Sequence, residues 1–381
     1  MAGLAAWVLA VVLAGAIVYC LLVLEAARRY LSQTRPEPET LPPLSILRPL
    51  MGADLGLAEN LRSFFVQDYP HFEILFAMRF TTDPALRIVH LLQQEFPDVP
   101  TRVIFTGDPP WTNAKVYSLH CMMQEASADI LVMADSDVRA DPGLLRRLAA
   151  ELEDPGVGVV TCPYRAIGGP SLWSRLEAIG MNTEFLAGVL VARMIEGMRF
   201  ALGPTIAARR SAIQAAGGWE YLKDFLAEDF VLGRMASQRG LGVVLSSAII
   251  EHRIGSQALA ANFRHRLRWH RSTRASRPVG YVGQLFTHPL PLSLLLVLIR
   301  PEWWFFSLVA IAARLLAAWA TAGWILRDPL CRSQWWLLPL QDLLSFGFWI
   351  AGFFGRTILW RGHRYWVDRD GRFHRLPEPS P

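Results

Sequence analysis

From Leu4 to Leu24 the chain carries no charged residue, and this stretch does more than any motif to limit what the molecule can be. At about 1.5 Å per residue, a helix of that length just crosses a hydrocarbon core of about 30 Å. No basic residue precedes it, while Arg28 and Arg29 follow, so the positive-inside bias places the N-terminus outside and the next segment in the cytosol. A cleaved signal peptide is the alternative; the missing basic leader and the long apolar run disfavour it. Apolar sequence returns after Leu285, with candidate spans at Leu290–Ile299, Trp303–Leu326 and Trp335–Phe354. Trp303, Trp304, Trp335, Trp336 and Trp360 near their ends fit an aromatic belt. The first of these segments is short and holds prolines, which suits a short span, a re-entrant segment or an interfacial helix.

Arginine carries nearly all of the positive charge, and the net balance is +5. Much of it sits in residues 264–277 and 356–375, beside apolar sequence. Such clusters suit anionic headgroups or a diphosphate, and equally suit positive-inside flanks. A cytosolic basic tail requires an even number of crossings after the middle of the chain. This favours two full spans, with residues 285–299 in the interface. The four cysteines, Cys20, Cys121, Cys162 and Cys331, form no CxxC pair, so a disulfide framework or zinc site is not expected and a reducing compartment is.

Between the apolar ends, Leu44 to about Ser256 alternates short β-rich runs with helical spacing. The runs are Leu44–Leu47, Phe72–Met78, Arg102–Phe105, Asp129–Met133 and Gly156–Thr161, with helices expected over 86–96 and 114–126. This alternation predicts an α/β domain with a mostly parallel sheet, whose ligands bind beyond the carboxyl ends of the strands.

Asp135-Ser136-Asp137 follows the apolar run Ile130–Ala134, so a strand end delivers both carboxylates. Residues two apart on an extended segment point the same way, and two carboxylates can hold a divalent cation that clamps a diphosphate. Asp83, before Pro84, also reads as a helix cap. Lys115 can pair with phosphate or with a carboxylate of the domain. Glu228-Asp229 offers a carboxylate base for a hydroxyl nucleophile, or an ordinary acidic helix start. His265-Arg266-Leu267-Arg268-Trp269 sets cations beside an aromatic ring, able to grip a diphosphate or to serve as a basic juxtamembrane helix.

In order, Asp83, Asp135, Asp229 and the Arg268-Trp269 pair resemble the processive-type inverting glycosyltransferases of GT-A fold, and within them the ceramide glucosyltransferase group. Ser45–Leu50, Asn60-Leu61, Phe64-Phe65, Asp68–Pro70, Asn113–Lys115, Ala216–Gly218, Ala227–Asp229 and Trp360-Arg361-Gly362 extend the resemblance from about residue 40 to the C-terminus. The His-x-Leu-Arg-Trp form and the Ser276–Gly280 run look more like bacterial hopanoid N-acetylglucosaminyltransferases. The resemblance implies that Asp83 helps bind the nucleotide and that Asp135 lies near ribose, diphosphate and metal. Asp137 completes a DxD, Asp229 is the base, and Arg268 and Trp269 close over the diphosphate. His265 departs from the Gln or Arg that the family prefers at that position.

The resulting expectation is a multi-pass protein of the cell membrane, with an anchor at 1–27, a linker at 28–43 and a cytosolic GT-A catalytic domain at 44–256. A juxtamembrane region follows at 257–284, then membrane segments at 285–355 and a basic tail at 356–381. It would transfer a hexose or N-acetylhexosamine from a UDP-sugar to the hydroxyl of a membrane lipid, ceramide or hopanoid, using Mg2+ or Mn2+ held by Asp135 and Asp137. Its partners are donor, acceptor and bilayer, with no nucleic acid. A processive polysaccharide synthase and a non-catalytic membrane scaffold are the alternatives.

Overall fold

A computed structural model describes residues 2–34, 37–360 and 362–377. Arg35 and Pro36 of the linker, Arg361 of the Trp360–Gly362 run and the last four residues of the tail lie outside the described residues. The chain forms two compact units, with divisions at Gln33/Thr34, Tyr164/Arg165, Gly197/Met198, Arg253/Ile254 and Gly362/His363.

In chain order the elements up to the middle of the protein are α1 (Ala2–Leu31), β1 (Leu44–Pro49), α2 (Leu57–Phe65), β2 (Phe72–Met78), α3 (Ala85–Glu95), β3 (Thr101–Phe105), α4 (Ala114–Glu125), β4 (Ile130–Ala134), β5 (Val138–Arg139), α5 (Leu144–Glu151), β6 (Val157–Thr161), β7 (Tyr164–Gly168), α6 (Leu172–Gly180) and, after a π-helical turn at Met181–Phe185, α7 (Leu186–Glu196). Next come β8 (Thr205–Arg209), α8 (Arg210–Ala215), α9 (Gly218–Leu222), α10 (Glu228–Gln238), β9 (Gly242–Leu245) and β10 (Ile250–Gly255). The chain ends with α11 (Leu259–Ser276), α12 (Pro278–Gly283), α13 (Pro289–Ile299), α14 (Phe305–Ala318), α15 (Pro329–Ser333), α16 (Leu338–Gly352), β11 (Thr357–Trp360), β12 (His363–Val367) and β13 (Phe373–Arg375).

The α/β unit is built on a seven-stranded sheet in the order β3-β2-β1-β4-β8-β6-β9. The pairs β1/β2, β1/β4, β2/β3 and β6/β9 are parallel, and β8 runs antiparallel to both β4 and β6. The expected strands are therefore present, and β8 is the antiparallel member that the alternation did not disclose. Strand alternation sends Leu47, Leu75, Ala77, Leu131 and Met133 into one core with Val116, Leu119 and Met122 of α4. The three α4 residues sit three apart and so share a face. Each such side chain contributes about 1.5–3 kcal/mol on leaving water.

The described tail is not a free basic extension. β12 and β13 pair antiparallel, Tyr365 facing Arg375 and Val367 facing Phe373. Phe373 N donates to Asp224 O at 2.8 Å, and Leu226 N donates to Gly371 O at 3.2 Å.

The helical unit comprises α1, α6, α7 and the helices from α11 to α16. Among the described residues, three helices are long and apolar enough to cross a membrane: Gly3–Leu31, Leu172–Glu196 and Pro301–Ile325. Residues 278–287 and 289–299 form a further pair, bent by 64°. Connectivity limits these. The strands before and after Leu172–Glu196 share one sheet, since β6 pairs with β8, so that helix cannot pass alone from one side of a bilayer to the other. The same reasoning applies after β10. Because the β12–β13 hairpin bonds to Asp224 and Leu226, any crossings by the helices between β10 and β12 would have to be even in number.

Candidate active site

The site in the α/β unit begins with β4, buried at every residue. At its carboxyl end Asp135 N donates to Pro204 O and Val138 N donates back to Asp135 O, both at 3.1 Å. The Asp135-Ser136-Asp137 segment is thus a tight turn, and Asn60 Nδ2 fixes it by donating to Ser136 O at 3.2 Å.

Facing this turn is the start of α4. Asn113, fully buried, caps the helix by accepting from Lys115 N and Val116 N, an interaction worth about 1 kcal/mol. Its amide also donates to Phe225 O at 2.9 Å and to Glu228 Oε2 at 3.3 Å, tying α4 to the first turn of α10. Lys115 Nζ lies 2.7 Å from Asp135 Oδ1 and 3.1 Å from Glu228 Oε1. Burial alone would lower the Lys115 ammonium, but Asp135 and Glu228 outweigh it and hold its pKa above the ordinary lysine range. Lys115 therefore carries the positive charge at the centre of the cluster.

Asp229 follows Glu228 in the first turn of α10. Burial, and then the neighbouring Glu228 carboxylate, push its carboxyl up to about 7, with Lys115 opposing. A carboxyl with that affinity can take a proton near neutral pH. Burial likewise raises Asp135 against the pull of Lys115. For Asp137 the balance reverses: burial would raise it, but His252, at 3.2 Å from Nε2 to Oδ2, holds it below the usual range.

Asp137 Oδ1 is buried and makes no hydrogen bond, which suits a cation ligand. Among the described residues no group of three or more His, Cys, Asp and Glu side chains is arranged to hold a metal ion. A cation at Asp135 and Asp137 would therefore need a bound phosphate and water to complete its shell, the usual habit of Mg2+.

Asp83 stands after β2, and β2 and β4 flank β1 as parallel neighbours, so Asp83 and Asp135 leave the same edge of the sheet. Both Asp83 carboxylate oxygens accept from Gly52 N at 3.1 Å, and Oδ1 accepts from Ala85 N at 2.9 Å. The cap reading is realised, and the same carboxylate also steadies the loop after β1. Gly52 has φ +76°, a conformation glycine adopts without strain.

Glu228, read from the sequence as half of an acidic pair that could supply the base, is here a partner of Lys115, while Asn113 and Arg48 escaped the sequence reading as site residues. Arg48 is fully buried on β1, stacked 4.1 Å from the Phe64 ring, with no hydrogen bond to its guanidinium. Burial lowers its pKa to about 9, while Asp135 and Asp137 oppose the fall. A cation under an acidic turn was detectable in Ser45–Leu50, but nothing local said which carboxylates it faces.

His265, Arg268 and Trp269 belong to the helical unit, on one face of α11 at i, i+3 and i+4. His265 Nδ1 lies 2.7 Å from Glu177 Oε1, and Asn262 donates to the other Glu177 oxygen. The Trp269 ring packs against His265 and Phe185, and Arg268 sits 6.0 Å from the Trp360 ring.

The profile of glycosyl transferase family 21 matches residues 7–373. Ceramide glucosyltransferase 1 of Caenorhabditis elegans is 28% identical over 217 residues, 56% of this chain and 46% of its own length. The ceramide glucosyltransferase of Komagataella phaffii is 32% identical over 119 residues, 30% of this chain and 23% of its own length. The chain thus spans less than half the length of these curated relatives. A mannosyltransferase from Pyrobaculum calidifontis, solved with GDP-Man and Mn2+, superposes with TM-score 0.56 at 18% identity, covering 93% of this chain and 98% of that one. The likeness establishes the GT-A fold. With the family profile running almost end to end, the protein is a glycosyltransferase and belongs to glycosyl transferase family 21.

Proposed function

We propose that the protein transfers a hexose or N-acetylhexosamine from a UDP-sugar to a lipid hydroxyl, with inversion and with Asp229 as the base. The carrying observation is the Lys115-centred cluster: Asp135, Glu228 and Asp229 gathered at the carboxyl edge of a GT-A sheet, around one protonated lysine. Asp229 accepts the proton of the acceptor hydroxyl. The freed oxygen attacks the anomeric carbon, the bond from that carbon to the diphosphate breaks, and UDP leaves with the electron pair. Lys115 sets positive charge near the departing diphosphate, and Glu228 keeps Asp229 basic enough to act near neutral pH.

Asp135 and Asp137 are the residues that would hold Mg2+ or Mn2+, which neutralises diphosphate charge when bound. Asp83 is assigned to the nucleotide. The roles that family resemblance gives to His265, Arg268 and Trp269, gripping the diphosphate, are part of the same proposal. The lipid class is carried over from the ceramide glucosyltransferase relatives, and long apolar helices on the same chain support it. We assign the protein to the cell membrane, with its catalytic unit cytosolic.

The test is transfer itself. Membranes holding the full chain are given radiolabelled UDP-glucose or UDP-N-acetylglucosamine, and the extracted lipids are separated by chromatography. A single labelled glycolipid supports the proposal. A long polymer made from donor alone would replace it with a processive synthase.

A further inference from the structure

Arg48 is a buried cation that the transfer chemistry above does not use. β1 is a central strand, paired to both β2 and β4. With Leu47 opposite Met133, Arg48 stands beside the end of β4 that delivers Asp135. Alternation sends Leu47 into the core with α4 and turns Arg48 to the other face of the sheet, where its guanidinium stacks on the Phe64 ring of α2.

The side chain is fully buried, and none of its three guanidinium nitrogens makes a hydrogen bond. Its pKa of about 9 keeps it charged at neutral pH. A buried charge without partners is costly, and an apolar side chain of similar volume would ordinarily give a fold at least as stable. Asp135 and Asp137 are the carboxylates whose charge acts on it, yet each has a closer partner, Lys115 for Asp135 and His252 for Asp137. The turn that carries them is fixed by Asn60, which shares a face of α2 with Phe64. Arg48 is therefore neither an ion-pair partner nor the anchor of the turn. What it supplies is a positive field. Lys115 is partly exposed and can swing from Asp135 to an arriving phosphate, whereas Arg48 is enclosed.

We infer that Arg48 is a positioning residue of the donor site: a fixed cation behind the Asp135–Asp137 turn that disfavours a divalent ion there until the diphosphate has bound, so that the nucleotide loads ahead of the metal. The reason is one of sign. A fixed positive charge in a water-poor interior repels a divalent cation at the two carboxylates and attracts the anionic diphosphate. Without it, the carboxylates would draw the ion into an empty site, where it would compete with Lys115 for Asp135. Arg48 touches neither substrate nor metal and acts only through its field at the turn. The inference rests on the proposal that Asp135 and Asp137 hold the metal.

The test uses the full chain in neutral nanodiscs at pH 8, to keep proton competition small, with MnCl2 alone, UDP alone in EDTA, and MnCl2 and UDP together. Mn2+ is followed by electron paramagnetic resonance and UDP by calorimetry. Arg48→Met should bind Mn2+ alone about tenfold more tightly and UDP alone about tenfold more weakly, with a melting temperature no lower than wild type. Arg48→Gln is a second neutral variant with the same expected shifts. Arg48→Lys keeps the charge and should stay within about threefold of wild type for both ligands. The opposite signs carry the inference, because a merely structural loss weakens both ligands. Mn2+ affinity unchanged or weakened in a folded neutral variant overturns it and leaves the metal assignment standing. Failure of both neutral variants to fold, beside a folded Arg48→Lys, also overturns it, because the charge would then serve folding. Wild type that binds no Mn2+ even with UDP overturns the metal assignment and the inference with it, and so separates the two failures.

Discussion

Gly203 and Asp229 are in such close approach that a Cβ on Gly203 would stand 2.8 Å from Asp229 Oδ2. The missing side chain makes room for the base. Gly203→Ala must therefore move the carboxylate by a few tenths of an ångström or more, since the contact is with the functional end of a side chain held in the first turn of α10. Misplacement of a reacting group by about 1 Å costs about 100-fold. The expected result is a fall in kcat of about 10–100-fold with UDP affinity and melting temperature near wild type. Unchanged kcat would remove Asp229 from the reaction centre.

The proton affinity of Asp229 fixes a pH profile. Its carboxyl is raised to about 7, and only the ionised form is a base. The kcat/KM for acceptor should climb about tenfold per pH unit below 7 and level off above it. Lys115 opposes the rise, so Lys115→Met should move the midpoint upward and weaken UDP binding, whereas Glu228→Gln removes a raising charge and should move it downward. Opposite shifts from the two variants, measured on the same acceptor, are the signature of this cluster. A profile indifferent to both would contradict it.

The parts of this site differ in how they were written in the chain. β4 and its Asp135–Asp137 turn were legible because a wholly apolar strand ending in two carboxylates is a local pattern. Glu228 as the second partner of Lys115 was not, because 113 positions separate the two residues and only the fold, in which α9 packs against both α4 and α10, brings them together. β8 carries Ala207 and Ala208 at its centre, too small to signal a strand, and is defined by its neighbours on both sides. Leu172–Glu196 escaped notice as an apolar helix because Asn182, Thr183 and Glu184 interrupt it. Those residues turn inward to Asp328, Arg314 and Ser345, so their polarity marks an interior network rather than a surface.

Chelation tests the assignment of Asp135 and Asp137. If they hold a divalent ion with the diphosphate, excess EDTA should abolish transfer and Mg2+ or Mn2+ restore it. Mn2+ binding followed by electron paramagnetic resonance should tighten when UDP is added, because two carboxylates leave most of the shell to phosphate and water. Asp137→Asn should weaken Mn2+ binding with UDP by about tenfold or more while His252 keeps an acceptor nearby to hold the turn. Full activity in EDTA would take the metal out of the assignment and leave the diphosphate charge to basic side chains such as Lys115 and Arg268.

The C-terminal hairpin carries the last prediction. Although its sequence is dominated by charge, Tyr365, Val367 and Phe373 alternate inward, and Phe373 is fully buried. Through Phe373 N to Asp224 O and Leu226 N to Gly371 O, it adds a short antiparallel bridge to the segment that leads into Glu228 and Asp229, and Arg372 lies 5.0 Å over the Phe225 ring. Phe225 O in turn accepts from the Asn113 amide that caps α4. The hairpin thus braces the loop that joins both halves of the carboxylate cluster. Phe373→Ala should cost about 3–5 kcal/mol, the usual loss for a fully buried phenylalanine, seen as a lower melting temperature of the detergent-solubilised protein. Arg372→Ala keeps the hairpin core and removes the cation–ring contacts to Phe225 and Tyr221. It should lower kcat severalfold with little change in melting temperature, whereas a surface role for the tail predicts no kinetic effect at all.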